Sequence, residues 1–305
     1  MTPRLLALAA LTIASSCGGR PASRIAGSAT ASVLPAVAVP CPTGEDDTDL
    51  DSISDACELA LARGFAPMLR TAEGGCNWDT SVRPARLGGE YLFAAERMAE
   101  GTVRIAYLPA YYRDCGWSGV KCWLPFVDCD PHAGDSEIIL VDVESSDALR
   151  WRVVGVFLSA HCFDGSAPSC RWFRGPELDE LALAPGPDGG RHPVVWVAEG
   201  RQGNYPSRDA CDAGHSSIDT CDRNDVEYAF PIRGTRQNLG SRARPAGSAG
   251  GCLDAPALGS GSSMPAADAV ECFWRKDTRF GGWQADPSEP GATPYARYLE
   301  EIAGF

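Results

Sequence analysis

The chain has 305 residues, 44% hydrophobic and 22% charged, proportions that exclude wholesale disorder, collagen-like repeats and coiled coils. Its formal charge is −13, from 27 basic and 40 acidic residues, the reverse of the balance a phosphate-backbone binder needs, so no nucleic-acid partner is expected. Thirteen cysteines point to an oxidising compartment.

The N-terminus supplies a route to that compartment. Arg4 precedes the apolar run from Leu5 to Ala14, and Ser15-Ser16-Cys17 follows. A basic start, an apolar stretch of about ten residues and a small-residue cleavage site read as a secretory signal over residues 1–16. The run is shorter than the ~18–20 residues of a membrane-spanning helix. Small residues leading into a cysteine resemble a bacterial lipobox, with Ala14 where leucine is usual, and this implies lipidation of Cys17. Setting Cys17 aside leaves an even number of cysteines for pairing. Residues 17–40 carry Gly, Ala, Ser, Pro and Val without an acid and read as a lipid-anchored flexible tether, reaching ~25–30 Å as a random coil. Residues 41–305 read as a single domain, held at the extracytoplasmic face of a bacterial membrane.

The next segment admits two readings. Asp47, Asp49, Asp51, Asp55 and Glu58 stand at the first, third, fifth, ninth and twelfth positions of a calcium loop, with Ser52 where the sharp turn normally needs glycine. The run also resembles a thrombospondin type-three calcium repeat with its glycines replaced. Alternatively, Ser52 caps a helix with Asp55 three residues on, and acids gather at the positive end of the helix dipole. That helix would run to about Arg63 and end at Gly64. The sequence favours the helix start.

Beyond Gly64 the pattern is mainly β. Thr102–Leu108 alternates, Glu137–Val143 is rich in β-branched residues, and Trp151–Leu158 and Pro193–Ala198 are further strands. Turn-forming residues 184–190 separate two of these. Residues 202–223 and 234–269 read as long irregular loops, which are uncommon without a staple. Proximity in sequence suggests Cys162 with Cys170, Cys211 with Cys221 and Cys252 with Cys272, although spacing alone does not select a pairing.

The sharpest polar constellation is Asp130-Pro131-His132-Ala133-Gly134-Asp135-Ser136-Glu137, which runs into a strand. Residues two apart on a strand share a face, so Asp135 and Glu137 project together and His132 can fold over them. Two carboxylates and an imidazole suit a divalent cation, Ca²⁺ or Mg²⁺ ahead of Zn²⁺. The competing reading is a solvated polar turn.

His132–Glu137 resembles the His-x-Gly-Asp-Trp-Glu motif of the vacuolar protein sorting-associated protein sixty-two-like family, and the His-x-x-Asp-x-Glu core of necrosis-inducing cytolysins. Further segments are similar to the first family in the same order: Ala66–Arg70, Trp151–Val154 leading to Ser159-Ala160-His161, His192–Gly200 with Tyr205-Pro206, Asp222–Asp225 and Gly281–Trp283. The resemblance implies a β-sandwich with the acidic His-containing turn at one end. With the cysteines, the helix and the irregular stretches read above, the expected fold is a disulfide-rich β-sandwich with one short N-terminal helix and long loops. The resemblance also implies a cation at His132, Asp135 and Glu137 that engages a lipid head group; His161 is a candidate fourth ligand, and a glycan is the other candidate partner. Ser136 stands where the family has tryptophan, and Gly200-Arg201-Gln202 where it has Gly-Ser-His. His192 and His215 read as loop residues.

A rival class comes from the same turn. Gly134-Asp135-Ser136 resembles the block of lipase/esterase-type hydrolases whose serine is the nucleophile, and Asp212-Ala213-Gly214-His215 supplies an Asp-x-x-His. Those enzymes place the serine between a strand and a helix, whereas here a strand follows. The sequence therefore reads as a binding protein ahead of an enzyme.

Overall fold

The alternation at Thr102–Leu108 builds a central strand of the larger sheet. The computed structural model describes residues 36–42, 46–72, 78–79, 86–87, 90–114, 132–135, 137–160, 170–186, 191–199, 202–213, 219–228 and 232–241. Its elements in chain order begin with β1 (Val37–Ala38), α1 (Asp55–Gly64), β2 (Met68–Thr71), β3 (Trp78–Asp79), β4 (Arg86–Leu87), β5 (Glu90–Ala99), β6 (Thr102–Asp114) and β7 (His132–Asp135). There follow β8 (Ile139–Ser145), β9 (Arg150–Leu158), β10 (Arg171–Arg174), β11 (Leu183–Pro185), β12 (Arg191–Val197), β13 (Asn204–Tyr205), α2 (Arg208–Asp212) and β14 (Val226–Tyr228). The chain is mainly β with few helices, as its patterning predicts.

The larger sheet has the order β1-β9-β8-β6-β5, with β10 also on β9 and β7 also on β6, and its pairs are antiparallel. The smaller sheet has the order β11-β12-β2-β14, with β13 also on β12, and its β2–β12 pair is parallel. Strands β3 and β4 form a separate ribbon.

One face of β6 and β8 carries Val103, Ile105, Tyr107, Val141 and Val143, which join Leu61 and Ala62 of α1 and Leu69 and Val195 of the smaller sheet in one apolar cluster. Buried hydroxyls within it are satisfied by backbone: Tyr107 donates to Ala62 O at 3.0 Å and Tyr91 to Pro67 O at 3.0 Å. The other face is buried too, through Ala106, Leu108, Leu140 and Phe157. Burial on both sides explains why Ile138–Val141 is a continuous apolar run rather than an alternating one.

The helix begins two residues later than the sequence predicts. Ser54, not Ser52, is the N-cap: it has extended backbone, and its hydroxyl accepts from Cys57 N at 3.3 Å. Ser52 lies at φ +73°, a left-handed conformation belonging to the preceding turn. The 202–223 stretch also differs from the irregular loop expected, because its described part holds β13 and α2. The Cys211–Cys221 bridge is present as the spacing suggested, and Cys41–Cys57, which spacing did not single out, is a second. Cys170 is also disulfide-bonded. Residues 1–35, Cys162 and the pair Cys252 and Cys272 lie outside the described residues.

Candidate functional site

The chain around Glu137 meets the end of β9 at one end of the larger sheet. Strand β7 pairs with β6, placing His132 opposite Asp114 and Asp135 opposite Tyr111. Glu137 follows two residues after the end of β7 and two before the start of β8. Of the four expected ligands only the Glu137 side chain is placed. The side chains of His132 and Asp135, and His161 and Ser136 altogether, lie outside the described residues.

Glu137 is half-buried, and its carboxylate accepts a hydrogen bond from the Ser159 hydroxyl. Pairing of Ile139 with Leu158 sets this contact, and Ser159 N donates to Ile138 O at 3.1 Å. Ser159 is two residues before His161 in the sequence. Asn204, fully buried, donates from Nδ2 to Glu137 O at 3.2 Å. The Tyr205 hydroxyl donates to Asp219, which is also buried. Gly203 lets these groups close up: a Cβ there would lie 3.0 Å from Ala160 Cβ and 3.3 Å from Asp219 Oδ2. Asn204 Oδ1 and Gln202 Oε1 are buried and accept no hydrogen bond among the described residues. Such orphaned oxygens fit a hard cation or a ligand hydroxyl, since burial without a partner is costly. Sequence reasoning missed Asn204 and Asp219, which nothing local distinguishes from ordinary loop residues, and noted Gln202 only as standing where the family pattern has histidine.

Other predicted residues have structural employment. His192 is a buried strand residue of β12, not a loop residue, with Nδ1 2.7 Å from Ala66 O. Asp212 ends α2, and its Oδ1 accepts from Cys221 N at 2.7 Å. His215 lies outside the described residues.

The acidic segment before α1 forms a compact loop. Asp47 accepts from Asp51 N at 3.2 Å and Ser52 N at 3.0 Å, while Asp55 accepts from Thr48 N at 2.9 Å and Thr48 Oγ1 at 2.8 Å. Glu58 Oε2 accepts from Asn238 Nδ2 at 2.8 Å, and the backbone carbonyl of Asp49 accepts from Ser241 Oγ at 2.7 Å. One oxygen each of Asp47, Asp49 and Asp51 lie within 4.8 Å of one another, as do one each of Asp49, Asp55 and Glu58. Two ionised carboxylates about 4 Å apart repel by about 4 kcal/mol at an effective dielectric of 20. Burial, reinforced by neighbouring acids, accordingly pushes the Asp49 carboxyl up to about 7 and Glu58 to about 10; burial pushes Asp51 to about 6, with the Ile53 amide and Arg97 opposing. The helix and calcium readings of this segment are compatible, because α1 begins at the ninth loop position.

Ser52 in the left-handed region costs about 1–2 kcal/mol, part of which glycine would give back through the entropy of the unfolded chain. Ser52→Gly keeps the amide bonded to Asp47 and should stabilise the protein by about 0.5–1 kcal/mol in urea denaturation. Destabilisation would mean that the turn is not held in this conformation.

Comparison of the chain with protein-family models, with curated proteins and with solved structures finds no match.

Proposed function

We propose that this is an exported lipoprotein of the bacterial cell envelope, anchored through Cys17. In this reading its two sheets pack as a sandwich that binds a lipid head group or glycan through a divalent cation at His132, Asp135, Glu137 and His161. The observation that carries it is the meeting of Glu137, Ser159 and Asn204, whose Oδ1 is buried and orphaned, at one sheet end. Calcium or magnesium suits these oxygen donors better than zinc. The cation would supply a positive centre for a phosphate or vicinal hydroxyls, while Glu137, oriented by Ser159, would hold it. Export is supported by disulfides among the described residues, which persist in oxidising compartments. No helix among the described residues is long and apolar enough to cross a membrane.

The hydrolase reading is less well supported. Ser136 lies between two strands, β7 and β8, instead of entering a helix, and Asp212 is committed to the Cys221 amide. Both readings are tested with Cys17→Ser protein and vesicles of phosphatidylcholine with sphingomyelin. Calcium should drive co-sedimentation, a chelator should reverse it, and Asp135→Asn or Glu137→Gln should weaken it at least about tenfold, which is about 1.4 kcal/mol. Ser136→Ala should bind normally. Calcium-independent turnover of a p-nitrophenyl ester that disappears in Ser136→Ala, with no vesicle binding, would replace this reading by the hydrolase.

A further inference from the structure

We propose that residues 47–58 form a calcium site, separate from the sheet-end site, in which Asp47, Asp49, Asp51 and Glu58 coordinate the ion and Asp55 stands at the water-bridged position. The spacing of acids alone would not carry this. What carries it is burial without partners: Asp49 is 4% exposed and both its carboxylate oxygens lack a hydrogen bond. Glu58 is 0% exposed with Oε1 unpartnered, and Asp51 Oδ2 is likewise buried and unpartnered. Those four oxygens belong to acids gathered in one small volume, and Asp49 is common to both sets of oxygens lying within 4.8 Å. Oxygens on opposite sides of one calcium ion are up to about 5 Å apart, so such separations fit a single coordination sphere.

The chain order agrees with the geometry. The sixth position, Ser52, takes the positive φ of a calcium-loop turn, the seventh is Ile53, whose place supplies a backbone carbonyl, and α1 leaves from the ninth. The donors are oxygens without nitrogen or sulfur, which selects a hard cation. A cleft of about 670 Å³ reaches the loop from solvent at Asp47, Ser52 and Ile53. Asn238 holds one Glu58 oxygen, which weakens bidentate ligation and points to an affinity on the order of 10⁻⁴ M, the range of extracellular modules.

The test uses the mature protein in detergent, stripped with a chelator and titrated with calcium by calorimetry and thermal melting. Saturating calcium should raise the melting temperature by about 5 °C or more. Asp49→Asn and Glu58→Gln should each bind one calcium fewer than wild type. They should also melt higher than wild type in chelator, since each replaces a carboxyl that burial keeps from ionising by a neutral amide of the same shape, so misfolding cannot mimic the result. Glu137→Gln should keep the calcium that Asp49→Asn loses. Absence of binding at millimolar calcium, or an unchanged stoichiometry in Asp49→Asn, would overturn the site and leave its buried carboxyls as protonated acids.

Discussion

Arg104→Leu should lower the stability of the domain by about 3 kcal/mol in urea denaturation. Arg104 on β6 stands opposite Asp142 on β8, Asp142 opposite Gly155 on β9, and Gly155 opposite Arg174 on β10. Arg104 is 4% exposed and Asp142 6%, and they pair through two bonds of 2.6 and 2.9 Å. Arg174 crosses to the same carboxylate at 3.0 Å, which the missing side chain of Gly155 permits: a Cβ there would meet Arg174 Nε at 3.2 Å. The Trp172 ring takes both guanidinium groups, at 4.5 and 4.0 Å from its centroid.

Removing one partner of a buried pair leaves an uncompensated charge, which costs about 3–5 kcal/mol. The low end applies because Arg174 remains. Replacing both residues by leucine should return most of the loss, since an apolar pair of similar volume needs no desolvation. Arg171→Ala, which breaks the exposed pair with Glu180, should cost less than about 1 kcal/mol. A loss below that figure for Arg104→Leu would mean that water reaches Asp142.

What the sequence disclosed, and what it hid, follow from the range of the interactions involved. Strands β6, β8, β9 and β12 were legible because their β-branched, alternating or continuous apolar patterns are local. Strand β5 was not: Glu-Tyr-Leu-Phe-Ala-Ala-Glu-Arg-Met-Ala mixes aromatics with strong helix formers, and its state is decided by pairing with β6 from Glu90↔Ala110 onward. The helix start was displaced by two residues because both Ser52 and Ser54 can cap, and only the left-handed backbone at Ser52 separates them. The acidic loop could be read as helix or calcium site, but not as both. Its distinguishing fact is the burial of Glu58 beneath Asn238, a contact across 180 residues that no local pattern encodes. Asn204, reaching back 67 residues to Glu137, was hidden for the same reason.

Opening the Cys41–Cys57 bridge, by replacing both cysteines with serine, should cost about 3 kcal/mol and also weaken calcium binding about tenfold. The bridge closes a separation of 16 residues that contains Asp47, Asp49, Asp51 and Asp55, with Glu58 immediately after it. Chain entropy accounts for the stability loss, because the bridge restricts the unfolded state. The affinity loss has a different origin. Without the ion the acids repel, and the bridge holds the segment entering the loop against the first turn of α1 despite that repulsion. An unbridged loop relaxes outward, and the ion must then close it.

Cys211→Ser/Cys221→Ser supplies the control. That bridge spans 10 residues and is buried at α2 beside the sheet-end cluster, so its loss should cost a similar about 3 kcal/mol. Its calcium affinity at the acidic loop should stay within about twofold of wild type, a difference of about 0.4 kcal/mol. Equal loss of affinity in both variants would assign the effect to general destabilisation. Unchanged affinity in Cys41→Ser/Cys57→Ser would show that Arg97 on Ser52 O and Ser241 on Asp49 O hold the loop without the bridge.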